Sequence, residues 1–253
     1  MYEMKKSIFF GLALIMIVLA PTVGKAQLAP ISVRAFDKVI ISPHIEVTLI
    51  EGDQESVSID NAKLPVEKIN VEVEGKTLRV YLDGAKVITK SERIDNGDWK
   101  GHKSLYNGTM VTLTITFKKL NNISVRGEEI VHIASALQEK NMKLTIYGES
   151  KVYFDNLTVE KLKVAIYGSS YLEITDGAVQ HQVYRAYGES VVNAAEIRNK
   201  STKITAYGES DFRVKVSDNL RITCFGEATI NYMGSPKIDK GIVIGEASIR
   251  KIG

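Results

Sequence analysis

From residue 36 onward, apolar and polar side chains alternate in short runs, the two-residue period of a β-strand with one buried face. Val39 and Ile41, then Ile45, Val47 and Leu49, mark strands interrupted at Ser42-Pro43-His44, and Glu51-Gly52-Asp53 makes the next turn. Val57-Ser58-Ile59, Ile69 to Val73 and Leu78 to Leu82 continue the pattern, the last two joined at Glu74-Gly75-Lys76. Asn61 to Ile69 has room for one helical turn, which Pro65 confines. Met110 to Phe117 sets Val111, Leu113, Ile115 and Phe117 against a threonine-rich face. The one break in the strand pattern is 83–109, a polar insertion holding the only tryptophan, Trp99.

After residue 120 a longer period is laid over the alternation. Glycines fall at 148, 168, 188, 208, 226 and 245 in IYGES, IYGSS, AYGES, AYGES, CFGEA and VIGEA, with a weaker forerunner at Gly127; the steps are 21, 20, 20, 20, 18 and 19 residues. A repeat of about 20 residues with strand pattern on both sides predicts an all-β solenoid that stacks one coil per repeat. Aligned on the glycine, Leu144 and Ile146, Val164 and Ile166, Tyr184 and Ala186, Ile204 and Ala206, Ile222 and Cys224 point inward. Beyond it, Val152, Leu172, Val192, Phe212, Ile230 and Ile249 are predicted inside, with Ser150, Ser170, Ser190, Ser210, Ala228 and Ala247 at a tight corner. The glycine makes the bend. A third short strand, such as Leu157 to Val159 or Glu196 to Arg198, is predicted to close each coil. Without a Gly/Ser/Pro linker, 27–253 reads as one domain, irregular over 27–120 and regular over 121–253.

Parallel coils lie about 4.8 Å apart, so equivalent side chains form rows. Tyr147, Tyr167, Tyr187, Tyr207 and Phe225 make an outward aromatic row, Lys163 and Lys203 belong to a basic row, and Glu149, Glu189, Glu209, Glu227 and Glu246 line the corner, interrupted by Ser169. Three readings compete for this surface: a stabilising ladder of stacked rings, a face that binds glycan or a partner protein together with Trp99, and a cation site on the glutamates. Neither EF-hand spacing nor the aspartate-rich calcium nonapeptide supports the third. Asp95, Asp98 and His102 in the insertion match no metal-loop spacing either. No cofactor or metal is expected.

The N-terminus changes the setting. Lys5 and Lys6, an apolar run from Ile8 to Ala20 and the small residues Gly24 and Ala26 predict a secretory signal peptide over 1–26, cleaved before Gln27. The run is too short to span a bilayer comfortably. No cysteine follows it, which argues against a lipoprotein and for an exported periplasmic or cell-surface protein. Cys224, the only cysteine, lies in a repeat strand, so no disulfide is available. The formal charge of +3 falls to +1 once Lys5, Lys6, Lys25 and Glu3 are removed. That balance gives no electrostatic case for nucleic acid.

Ile45-Glu46-Val47-Thr48-Leu49 with Gly52-Asp53, then Val71-Glu72-Val73 with Gly75-Lys76-Thr77-Leu78-Arg79-Val80, then glycine-serine repeats, occur in that order. This arrangement, over residues 36 to 250, resembles the putative auto-transporter adhesin, head GIN domain family of exported bacterial proteins. The resemblance implies a right-handed parallel β-helix, common in Bacteroidetes, and carries over no catalytic residues. The corner in that family is often Gly-Ser-Gly or Gly-Ser-Ala, so Gly-Glu-Ser adds charge here.

The expected function is therefore a non-catalytic adhesin-like or scaffold surface at the cell envelope. The alternatives are a β-helix lyase or hydrolase acting on polysaccharide and a purely structural envelope protein. Polysaccharide chemistry needs carboxylates at a few non-repeating positions, whereas the charges repeat and His44, His102, His132 and His181 share no motif spacing. Solenoid ends expose strand edges, so a cap or self-association is expected, with Arg250-Lys251 opposing end-to-end pairing and the irregular N-terminal half capping the other end.

Overall fold

The computed structural model describes residues 29–95 and 100–253. The predicted signal segment and Trp99 lie outside the described residues. The first part contains β1 (Ile31–Ser32), β2 (Lys38–Ile41), β3 (Ile45–Glu51), β4 (Ser56–Ala62), β5 (Ile69–Glu74), β6 (Thr77–Leu82), β7 (Ser91–Asp95), β8 (Lys100–Ser104) and β9 (Val111–Phe117). A 3₁₀ turn at Val66–Lys68 follows Pro65, as the proline position requires. The repeats supply β10 (Asn122–Gly127), β11 (Ile130–Ile133), β12 (Leu137–Gly148), β13 (Lys151–Phe154), β14 (Leu157–Gly168), β15 (Tyr171–Ile174), β16 (Gly177–Tyr187), β17 (Ser190–Ala194), β18 (Arg198–Lys215), β19 (Asn219–Met233) and β20 (Lys237–Lys251).

These strands stack as a parallel β-solenoid. Before the glycine corner one ladder runs β6, β2, β10, β12, β14, β16, β18, β19, β20. After the corner a second runs β9, β3, β11, β13, β15, β17, β18, β19, β20. The stacking order departs from chain order at the start. The coil of β2 and β3 is sandwiched between the later coil of β6 and β9 and the coil of β10 and β11. Beyond β6 and β9 the sheet turns antiparallel: β5 pairs with β6, β4 with β9, and β1 with β4. The irregular N-terminal half thus covers that end of the solenoid.

Two local expectations need correction. The predicted third strand is not separate in most coils: Leu157 to Val159 opens β14, which runs on into the tyrosine strand, and at Glu196 the chain bends before β18 starts at Arg198. The polar insertion is not free of strands, since β7 and β8 pair as an antiparallel hairpin. Its residues lack apolar alternation because the hairpin packs no face on the core, so the burial signal that marks other strands is missing.

The glycine corner sets the geometry. Gly168 has φ 121°, and a Cβ built on it would lie 2.3 Å from the carbonyl oxygen of Gly148 in the adjacent coil. Only glycine combines that backbone angle with that approach. Just past the corner, Ser150 and Ser170 turn inward and donate their hydroxyls at 2.9 Å to the carbonyls of Gly127 and Gly148. Each serine therefore satisfies the glycine carbonyl one coil back as it is removed from solvent.

The core follows the predicted inward rows from Phe36 to Ile230 as one apolar cluster. Ala247 and Ile249, placed inside by alignment, are only partly buried. They belong to β20, which among the described residues pairs with β19 alone.

Replacing Gly168 with alanine is expected to destabilise the protein by about 2–3 kcal/mol or more. Gly75→Ala, at φ 58° with nothing near its Cβ, should cost about 1 kcal/mol. Urea unfolding of the two variants measures the difference, and equal effects would contradict the corner's role.

Candidate functional site

The aromatic row lies where alignment puts it, on the outer face of the sheet just before the corner. In-register pairing sets Arg126, Tyr147, Tyr167, Tyr187, Tyr207, Phe225 and Ile244 over one another. Ring centroids are 5.0, 4.8, 4.8 and 4.9 Å apart from Tyr147 to Phe225, with interplanar angles of 9°, 2°, 3° and 6°. Nearly parallel rings at this separation form an offset stack. The Arg126 guanidinium lies 4.5 Å from the Tyr147 centroid and closes one end. Tyr167 and Tyr207 remain 40% and 37% exposed, yet their ring faces are covered by neighbours. Solvent meets ring edges and phenol hydroxyls, and this decides what the row can do. A sugar ring or a base cannot stack on a face that is already occupied; it can hydrogen-bond to the hydroxyls.

Beside the aromatics the same face is basic. Lys143, Lys163, Lys203 and Arg221 share one row, with Val183 between Lys163 and Lys203. Threonines and Ala165 separate this row from the aromatics except at Arg185. Arg221 meets Asp239 at 3.3 Å. Among the described residues, no carboxylate lies within ion-pair distance of Lys143, Lys161, Lys163, Arg185 or Lys203.

On the other side of the aromatics the corner carboxylates project as predicted. Glu189, Glu209, Glu227 and Glu246, joined by Asp211 and Ser169, line an open groove of about 500 Å3. Glu149 is exposed at the same corner one coil earlier. The tyrosines thus run between a basic field and an acidic one.

Sequence reasoning placed Lys163 and Lys203 on this face but missed Arg126 as the end of the stack, although VRGEE aligns with IYGES and sets Arg126 at the tyrosine position. It also missed His44. With φ 70°, this residue grips both limbs of the insertion: Nδ1 donates to the Gly108 carbonyl at 2.8 Å and Nε2 accepts from the Thr89 hydroxyl at 2.6 Å. Buried Glu129 lies 3.7 Å from Nδ1 and accepts the Glu128 amide. The other described histidines are scattered: His132 bonds Asp155 and His181 bonds Ser201, while His102 stands opposite Arg93 on the hairpin. Asp98, like Trp99, lies outside the described residues. Burial pushes the Cys224 thiol pKa up, which keeps it protonated and unreactive. Near the capped end, the Tyr81 hydroxyl and then Lys86 hold the Glu72 carboxyl below its usual pKa.

A model of the family described as putative auto-transporter adhesin, head GIN domain, matches residues 35–236, and the chain belongs to that family. None of the curated proteins compared with it matches its sequence. Among solved structures it is similar to a putative adhesin of Bacteroides fragilis, at 22% identity and TM-score 0.74, covering 88% of this chain and 95% of that one. It is also similar to a putative lipid binding protein of Parabacteroides distasonis, at 18% identity and TM-score 0.64, covering 89% and 96%. A putative adhesin of Parabacteroides merdae matches at 17% identity and TM-score 0.61, covering 91% and 98%. These likenesses show the fold. Among the described residues no helix is long and apolar enough to cross a membrane.

Tyr187 stacks on both sides, so Tyr187→Ser is expected to lower stability by about 2 kcal/mol. Tyr187→Phe keeps the stack, as Phe225 does at its own position, and should stay within about 0.5 kcal/mol of the parent. Thermal and urea unfolding of both variants distinguish a load-carrying stack from a decorative one.

Proposed function

We propose that the chain is an exported, non-catalytic, adhesin-like protein of the cell envelope that docks a glycan or an envelope protein on its tyrosine and lysine face. The observation that carries this reading is the face itself: phenol hydroxyls recur with the coil spacing beside lysines that have no ion-pair partner among the described residues, on a surface held flat by the stack. The signal-like N-terminus supports export, and the adhesin description of the family agrees. A non-catalytic role is supported by charges that recur by coil and by histidines that do not converge.

Changing Tyr167, Tyr187 and Tyr207 together to Phe removes hydroxyls while preserving the stack. On a glycan and envelope-protein array, this variant of the full chain should bind its ligand about tenfold more weakly at unchanged stability. Unchanged binding would reject the face as the docking site.

A second reading rests on a separate feature. Pro43, Val87, Ile88 and Tyr147 line a mostly apolar groove of about 400 Å3 beside the insertion, with Ile88 77% exposed. Together with the name of the Parabacteroides distasonis neighbour, this supports acyl-chain binding there. A fluorescent fatty acid should brighten on adding the chain and lose that response in Ile88→Asp; no response in the parent would remove the reading.

A further inference from the structure

The charge on the tyrosine face identifies the class of ligand more closely. Over the stacked stretches 141–147, 161–167, 181–187, 201–207 and 219–225, the outward positions hold Lys143, Lys161, Lys163, Arg185, Lys203 and Arg221 and no aspartate or glutamate, while Glu139 and Glu160 stand just ahead of them at the start of β12 and β14. This asymmetry arises in a chain whose residues 27–253 sum to a formal charge of only +1, so it is local, not a reflection of a basic protein. Like charges at ladder spacing repel, and Asp239, the carboxylate paired with this field among the described residues, serves Arg221 alone. Beside the face, Lys119, Lys140, Lys143, Lys161 and Lys163 surround a groove of about 370 Å3 in which Glu139 is the one acid, 3.9 Å from Lys119. The basic field therefore extends around the edge of the sheet.

We infer, building on the reading of this face as a docking surface, that its ligand is an acidic polysaccharide lying along the solenoid axis, with carboxylate or sulfate groups paired to the lysine row. A polymer with regularly repeated charge matches cations stepped along the solenoid by the coil spacing of about 4.8 Å, doubled where Val183 stands between Lys163 and Lys203. Thr205 and Thr223, with the phenol hydroxyls, offer neutral hydrogen-bonding partners for sugar hydroxyls between the charges. Single-stranded nucleic acid, the other common polyanion, draws much of its affinity from bases stacked on aromatic faces. Here those faces are covered by one another and by Arg126.

The full chain is tested for binding to polygalacturonate, dextran sulfate, neutral dextran and a mixed-sequence single-stranded DNA at low and high salt. Binding to one or both acidic polysaccharides, weak binding to dextran and DNA, and loss of affinity with salt are expected; the preferred polymer tells carboxylate from sulfate. Combining Lys143→Ser, Lys163→Ser and Lys203→Ser should weaken binding about tenfold or more. Lys215→Ser with Arg250→Ser, on other outward positions, should leave it unchanged. Equal losses in both sets, equal binding to dextran, tighter binding to DNA, or no binding to either acidic polymer would overturn the inference. If the lysine variants bind the array ligand normally while the tyrosine-to-phenylalanine variant does not, the docking face stands and its acidic ligand falls. If neither set matters, both readings fall.

Discussion

From Gly127 onward, each coil of this protein places its glycine carbonyl against the glycine of the next coil, and the rest of the repeat depends on that contact. The parallel ladder brings backbone to backbone at a corner where no side chain fits. Once the corners are in register, all other rows fall into register with them. Apolar residues then stack into a continuous core, and tyrosines become a column of parallel rings whose separation is the strand spacing. The inward serines complete the arrangement by giving the carbonyls at the bend a hydroxyl donor from within the next coil.

The same constraint explains why binding surface and stability are hard to separate here. The aromatic row looks like an exposed strip when only the direction of each side chain is considered, and each ring indeed points outward. Stacking uses the faces of the rings for the protein itself and leaves hydroxyls and edges for others. The chemistry of the face is therefore polar and charged, set by phenols, threonines and lysines, although its residue names suggest an aromatic platform. The corner beyond the tyrosines is lined with Glu189, Glu209, Glu227 and Glu246, so the lysine-bearing stretch and the corner groove have opposite signs.

Much of this was legible in the sequence because a solenoid is nearly one-dimensional. The spacing of Gly148, Gly168, Gly188 and Gly208 predicts which residues stack, and alternation around them predicts which face each takes; Leu144, Ile146, Tyr184 and Phe212 are all buried accordingly. What was not legible is what alternation cannot encode. A strand pattern tells which side is buried but not which strand lies alongside, so the placement of β6 and β9 outside β2 and β3 had no local signal. The hairpin of β7 and β8 buries neither face on the core and so shows no pattern. His44 was hidden for a different reason: its role depends on a left-handed backbone and on Thr89 and Gly108, both more than forty residues away in the chain.

The displaced coil also bears on how the chain is assembled during synthesis. A repeat array stacked in chain order can grow by adding each new coil to the last one made. Here β2 and β3 emerge first, but both their edges wait: one for β6 and β9, the other for β10 and β11. The sandwich as a whole is not complete until residues beyond 130 have left the ribosome, and the contacts that close it span long stretches of chain, a topology that slows folding. The regular repeats that follow have a finished template to extend. The protein is thus divided in time as well as in pattern, with a slow, non-local nucleus at its front and rapid coil-by-coil growth behind it.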